Sequence, residues 1–242
     1  MGHGTKDYGN VYPKEVTYRL DDMAELAVRQ KSIVNFDRLG EVLKLEDFED
    51  GLAHVYTRGI DANNYVELNT VYAKNGGFSA KFILNNVLLD WTHLGLYSPL
   101  PDLSKFGFEM SFAKLTNVAW IDCNIYVADG VNETSFSVRY IVADKKLQYL
   151  NNADVYVDFA TGVSLRQFLQ QWHVCKIVVD AANNVYSKFI LNDVVYSLRN
   201  IEGYTTTTAA DIELSGNCYM WSGGTGAGSG YIDDLIITRN EP

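Results

Sequence analysis

Phe106-Gly107-Phe108-Glu109-Met110-Ser111-Phe112 sets a large apolar side chain at every second position. Successive side chains of an extended strand point to opposite faces, so Phe106, Phe108, Met110 and Phe112 share one face, and that face must be buried. The same period continues through Ile121, Cys123, Ile125 and Val127, stops at Asp129-Gly130, and resumes with Phe136, Val138, Tyr140 and Val142. A glycine turn between two alternating runs predicts a hairpin. Farther on, His173, Cys175, Ile177 and Val179 alternate with Trp172, Val174, Lys176 and Val178. That run ends at Asp180-Ala181-Ala182-Asn183-Asn184, a tight connection into Val185-Tyr186-Ser187-Lys188-Phe189-Ile190-Leu191. Asn192-Asp193 then offers a second turn, because both residue types tolerate positive φ.

From about Ser32 to the C-terminus the chain reads as strand after strand, each bounded by Gly, Asn or Asp. No amphipathic helical stretch there is long enough to cover a parallel sheet. These patterns predict an all-β fold, an antiparallel two-sheet sandwich over residues 32–242. Lys81-Phe82-Ile83-Leu84-Asn85-Asn86-Val87 echoes Lys188-Phe189-Ile190-Leu191-Asn192-Asp193-Val194, and is expected to form a second strand-turn-strand unit; two copies do not make a solenoid. Residues 1–31 differ. Tyr8 to Tyr18 is polar and carries Pro13, while Leu20 to Arg29 has acidic capping candidates and apolar residues at helical spacing. One short helix is expected in this N-terminal arm. A helix under about 12–15 residues is marginal alone, so it must pack on the sandwich or on another subunit. The arm is therefore the candidate contact for a homo-oligomer or a larger assembly; the alternative is a terminus resting on its own domain.

The chain has 242 residues, 47% hydrophobic and 21% charged, enough to bury a sizeable core. Its net charge of -10 repels phosphate backbones, which excludes nucleic acid as an expected partner. No apolar run approaches the roughly 20 residues that span a bilayer, so membrane insertion is not expected. Met1 to Tyr8 lacks the apolar stretch of a secretory signal. Synthesis in the cytoplasm is expected, with any place in a virion or outside the cell reached by another route such as lysis. Cys123, Cys175 and Cys218 are too few and too scattered for a disulfide framework and predict buried free thiols.

Three segments carry a resemblance: Leu45-Glu46-Asp47-Phe48-Glu49-Asp50-Gly51, Trp172 to Asp180, and Tyr231-Ile232-Asp233-Asp234-Leu235-Ile236-Ile237-Thr238. Together they resemble the concanavalin A-like or laminin-G-like jelly-roll superfamily, and also galactose-binding-type carbohydrate-binding modules. The resemblance implies the fold but not one function, because such sandwiches serve as lectins, glycosidases, adhesion modules and virion parts. Ala24 to Arg29, through Ile33 to Gly40 and into Asp47 to Gly51, also resembles uncharacterised proteins of bacterial and archaeal viruses. That second likeness implies a capsid, decoration or tail component, with capsid or tail proteins as partners.

In the related binding modules the opening and closing strands share a calcium ion, which takes six to eight oxygen ligands. The resemblance points to Asp47, Glu49, Asp233 and Asp234 as its ligands. Period two groups Asp233 with Tyr231, Leu235 and Ile237, and Asp234 with Ile232 and Ile236. If both faces are covered, one carboxylate is buried and needs a metal, an arginine or backbone donors; a hydrogen-bonded aspartate without metal is the competing expectation. Asp211-Ile212-Glu213 sets two acids on one strand face. Sandwich glycosidases of the laminarinase type, however, carry a further acid where this chain has Ala209, so a solvated face is expected. The histidines His3, His54, His93 and His173 show no zinc spacing. Gly223 to Gly230 fits no phosphate-loop frame and reads as a loop before the last strand. Tyrosine and tryptophan rings stack on sugars and anchor interfaces, which makes Trp91 and Trp221 the ligand-binding candidates. Trp120, Tyr97, Tyr126, Tyr204 and Tyr219 belong to the same class.

These readings lead to a non-catalytic structural or interaction protein, a virion component with a lectin-like fold. The alternative is a carbohydrate-binding module, and a glycoside hydrolase ranks third.

Overall fold

The computed structural model describes residues 40–168, 171–207 and 211–242. The arm expected at residues 1–31, its helix and the assembly contact assigned to it lie outside them. The described residues hold sixteen strands and no helix, so none has a helix long and apolar enough to cross a membrane. In chain order the strands are β1 Glu41–Glu46, β2 Tyr56–Gly59, β3 Tyr65–Asn69, β4 Ser79–Leu84, β5 Trp91–Pro99, β6 Lys105–Thr116, β7 Val118–Asp129 and β8 Asn132–Ile141. They continue as β9 Lys146–Leu150, β10 Tyr156–Ala160, β11 His173–Asp180, β12 Val185–Leu191, β13 Val194–Ser197, β14 Tyr204–Thr207, β15 Ile212–Ser222 and β16 Gly228–Arg239.

The strands form two sheets of eight. The first runs β13-β12-β11-β6-β16-β4-β3, with β1 also on β16; the second runs β10-β9-β8-β7-β15-β5-β2, with β14 on β8. Each pairing is antiparallel. The architecture is the expected jelly-roll sandwich.

Phe106, Phe108, Met110 and Phe112 enter one core with Ile177 and Val179 of β11 and with Ile125, Phe136, Leu94 and Met220 of the second sheet. Full burial of such a side chain contributes roughly 1.5–3 kcal/mol. Close approach of the sheets dictates one glycine. A Cβ at Gly216 would stand 2.1 Å from Phe108 Cδ2, inside the ring's own volume. The opposite face of β6 is covered as well, with Glu109 and Ser111 at 0% exposure. Cys123, Cys175 and Cys218 are free and buried, as their spacing suggested.

The hairpins follow the predicted turn chemistry. Asp129 Oδ1 accepts hydrogen bonds from the Val131 and Asn132 amides, and Gly130 takes φ 91° between β7 and β8. Asn192 takes φ 55° between β12 and β13. The internal echo is only local. After Asn192 the chain turns back into β13 of the same sheet, whereas after Asn85 it crosses to β5 of the other. The Gly-rich segment also departs from expectation. Gly228, Ser229 and Gly230 already belong to β16, laddered to Leu84, Ile83 and Phe82. The preceding loop is pinned at Asn117, whose carbonyl accepts from Gly223 N at 2.8 Å and whose amide donates to Ala227 O at 3.0 Å.

Candidate functional site

The outward face of the second sheet collects the chain's unusual side chains, and its register places them in rows. Trp221 of β15 lies between Trp91 of β5 and Trp120 of β7 on the ladder. The Trp120 and Trp221 rings stack at 5.4 Å between centroids, and those of Trp91 and Trp221 stand 6.4 Å apart. Three indoles on three neighbouring strands span about 9–10 Å at the usual strand spacing. One rung along, Arg58, His93, Tyr219, Asp122 and Arg139 lie side by side across β2, β5, β15, β7 and β8. The next rung carries Gly95, Asn217, Asn124 and Ser137, and the one after it Tyr97, Ser215, Tyr126 and Ser135.

Hydrogen bonds fix these rows. Asp122 is buried at the centre. Arg139 Nε donates to its Oδ1 at 3.1 Å and Trp221 Nε1 to its Oδ2 at 2.8 Å. The Arg139 guanidinium lies 3.2 Å from the Tyr156 ring centroid and 4.9 Å from that of Trp120, so it is held among rings as well as by a carboxylate. His93 stacks on Tyr219 at 4.3 Å, and its Nε2 meets Asn217 Oδ1 at 2.7 Å. Burial lowers the His93 pKa against that hydrogen bond, and the Arg58 charge adds to the lowering. The ring is therefore neutral at pH 7, with its proton on Nε2 and a lone pair on Nδ1. Burial also raises Tyr97 to about 12 and Tyr126 above the ordinary phenol value, so both are neutral hydroxyls there. Asn124 Oδ1 is buried and accepts no hydrogen bond from any described residue. An orphaned acceptor of this kind costs about 1–3 kcal/mol until a donor reaches it.

Gly95 keeps the amide row intact. A Cβ there would fall 2.5 Å from Asn217 Oδ1, 2.9 Å from Tyr97 Cε2 and 3.2 Å from His93 Nε2. Gly95→Ala is expected to separate His93 from Asn217 and to cost about 1–3 kcal/mol of stability. Urea unfolding would check this, and an unchanged midpoint would contradict it.

Of the residues selected from sequence, Trp91 and Trp221 are brought together as ladder partners. Trp120, Tyr97, Tyr126 and Tyr219 share their face, each inside a strand. Tyr204 of β14, opposite Ser135, extends the Tyr97, Ser215, Tyr126 and Ser135 row by one strand. Sequence reasoning passed over Asp122, Arg139, Asn124 and Arg58, and considered His93 only for zinc. Period two from Trp91 leads to His93, and from Trp221 to Tyr219, but nothing local to either run says that β15 lies between β5 and β7.

The four acids proposed for calcium each accept hydrogen bonds. The opening and closing strands do pair, with Leu45 opposite Ile236. Glu49 Oε1 accepts from the Gly77 and Phe78 amides at 2.7 and 3.0 Å. Asp233 Oδ2 accepts from the Lys74 amide at 2.7 Å, and Asp234 Oδ2 from Lys74 Nζ at 2.9 Å and Asn75 Nδ2 at 2.6 Å. These three clamp one loop between β3 and β4, while Asp47 Oδ1 accepts from the Glu49 amide at 3.2 Å. Among the described residues no three His, Cys, Asp or Glu side chains are grouped to hold a metal ion. The face assignment in β16 also needs correction. Asp234 takes φ 50°, and the register with β6 shifts between Asp233 and Ile236. This bulge breaks the period, so Ile232, Leu235 and Ile237 all enter the core while Asp233 faces the other way, opposite Ser111.

Two buried acids, Asp122 and Asp233, set a pH dependence. Burial pushes Asp122 up to about 6, against the Arg139 charge; burial and the Asp234 charge push Asp233 up to about 7. Both lie above the ordinary 3.8, so the folded protein holds protons that the unfolded chain has released. The stability that these two groups contribute is then fully present near pH 4 and is lost as pH rises toward 7, by on the order of 2–3 kcal/mol for Asp122. Urea midpoints at pH 4, 5.5 and 7 measure it; a midpoint that rises over this range would contradict the assignment.

No family model matches the chain, and no curated protein matches it in sequence. Solved structures do match in fold. An endo-β-1,4-glucuronan lyase from the fungus Trichoderma reesei aligns over 82% of this chain and 96% of its own, with a TM-score of 0.55 and 12% identity. The cellulose-induced protein Cip1 aligns over 81% and 96%, with a TM-score of 0.53 and 15% identity. The carbohydrate recognition domain of Emp46p, in its potassium-bound form, aligns over 83% and 95%, with a TM-score of 0.51 and 10% identity. At these identities the likeness establishes a lectin-type β-sandwich fold.

Proposed function

We propose that this chain binds a glycan on the outward face of its second sheet, without turning it over. The observation that carries the reading is the row of three indoles, Trp91, Trp221 and Trp120, set side by side on adjacent strands. The exposed parts of these half-buried rings, two of which stack on one another, offer an apolar surface to the C–H faces of sugars. Beside the row lie hydrogen-bonding groups fixed in place, the half-buried phenols of Tyr97, Tyr126 and Tyr219, next to the buried polar side chains His93, Asn217 and Asn124. Fixed rings and pre-formed polar partners reduce the ordering cost of binding. Carbohydrate also runs through the names of the three structural neighbours, which supports the reading without carrying it.

This is the carbohydrate-binding alternative from the sequence. The virion reading took its motive largely from the N-terminal arm, outside the described residues. A glycan array probed with the full chain tests the proposal. Signal on one glycan class, lost in Trp91→Ala and Trp221→Ala, is expected; no signal on any glycan would overturn it.

A further inference from the structure

We infer that the glycan carries carboxylates, as uronic-acid residues do, and that Arg58 sets this preference by pairing with one of them. The inference rests on the reading of this face as a sugar platform and names its ligand class. Arginines stand at the two ends of one row, Arg58 on β2 and Arg139 on β8, and they are not equivalent. Arg139 is committed to Asp122 and to the Tyr156 and Trp120 rings. Arg58 is exposed, with its guanidinium 5.7 Å from the centre of the Trp91 ring and no carboxylate partner among the described residues.

The acids near the start of β5 are hydrogen-bonded by amides and form no ion pair with Arg58, though their charges remain. Asp61 Oδ1 accepts from Asn63 N at 2.8 Å and Asn64 Nδ2 at 2.7 Å, and Asp90 Oδ2 accepts from Asn85 Nδ2 at 2.6 Å. An arginine left without a carboxylate is out of balance in a chain with 30 acidic and 20 basic side chains. Its guanidinium lies over the Trp91 ring, so a sugar that meets the exposed part of that indole brings its substituents within reach of the fork. The planar fork of arginine matches a carboxylate with two parallel hydrogen bonds, which lysine does not reproduce. Repulsion from the acids farther along the face is small. Glu213 lies six residues along β15 from Tyr219, about 20 Å, and physiological salt screens charges beyond about 8 Å.

The test is an array of uronate polysaccharides (polyglucuronate, polygalacturonate, alginate and hyaluronan), each spotted beside its carboxyl-reduced form and probed with the full chain. At least one uronate is expected to bind ten-fold or more tightly than its reduced form, and less tightly as salt is raised. Arg58→Gln should bring that uronate down to the level of the reduced form, and Arg58→Lys should retain part of the difference. Because Arg58 is exposed, both variants should melt with the native protein. Equal binding to uronate and reduced forms, or an equal loss on both in Arg58→Gln, would overturn the inference. Binding that is lost in Trp221→Ala but indifferent to Arg58 would overturn it and leave the platform standing. No binding to any spot would end both.

Discussion

Alanine at Trp221 is expected to weaken glycan binding by about 30- to 1,000-fold, the range that corresponds to losing an anchor worth about 2–4 kcal/mol. Trp221 is the middle indole, so its removal opens a gap between Trp91 and Trp120 and shortens the platform from both sides. It also takes away one of the two donors on Asp122, the indole N–H at 2.8 Å. Two effects are thus mixed in one variant, and Trp221→Phe separates them. Phenylalanine keeps a ring to stack on but cannot donate to Asp122. If stacking dominates, Trp221→Phe retains most of the affinity while losing some stability; if the Asp122 network dominates, the two variants lose affinity alike. Isothermal titration with the preferred oligosaccharide reads affinity, and urea unfolding reads stability. Native affinity in Trp221→Ala would contradict the platform directly.

The largest stability effect is expected on the other sheet. Lys176 Nζ lies 2.7 Å from Glu241 Oε1, with the two side chains at 1% and 0% exposure. Thr238 Oγ1 donates to the same oxygen, and Glu109, fully buried, is the cross-strand partner of Lys176 on β6. Lys176→Met keeps most of the side-chain volume and removes the charge. Glu241 then loses its cationic partner in a site with no solvent, which costs about 3–5 kcal/mol. Domains of this size have about 5–15 kcal/mol in all, so a shift of this magnitude would be evident in urea unfolding. Lys176→Met with Glu241→Gln should recover part of the loss, because the stranded charge is gone. A loss below about 1 kcal/mol in the single variant would contradict the ion pair.

How much of this was legible in the sequence depended on the range of the interaction. Alternation from Phe106 to Phe112 showed a strand, and Asp129-Gly130 and Asn192 showed turns, because each of those signals acts over a few residues. The bulge at Asp233-Asp234 was not legible: an added residue shifts the register only against a partner strand, and that partner, β6, lies more than a hundred residues upstream. The candidate site was legible as residue types and illegible as a constellation. Trp91 and Trp221 stand out by their chemistry. Their meeting with Trp120 is fixed by the insertion of β15 between β5 and β7, a non-local pairing that neither strand announces. Asp122 and Asn124 alternate with Cys123 and Ile125, and look like the solvent side of a strand. Only the neighbouring rings and the adjacent strands reveal them as buried groups in a polar network.

The chain contains four tryptophans, and the proposed site uses three of them, which provides its own control. Indole N–H resonances followed by NMR during titration with an oligosaccharide from the array should move for Trp91, Trp120 and Trp221. The signal of Trp172, just before β11 in the opposite sheet, should stay in place. A glycan that binds while shifting Trp172 alone, or none of the four, would place the site elsewhere and contradict the account.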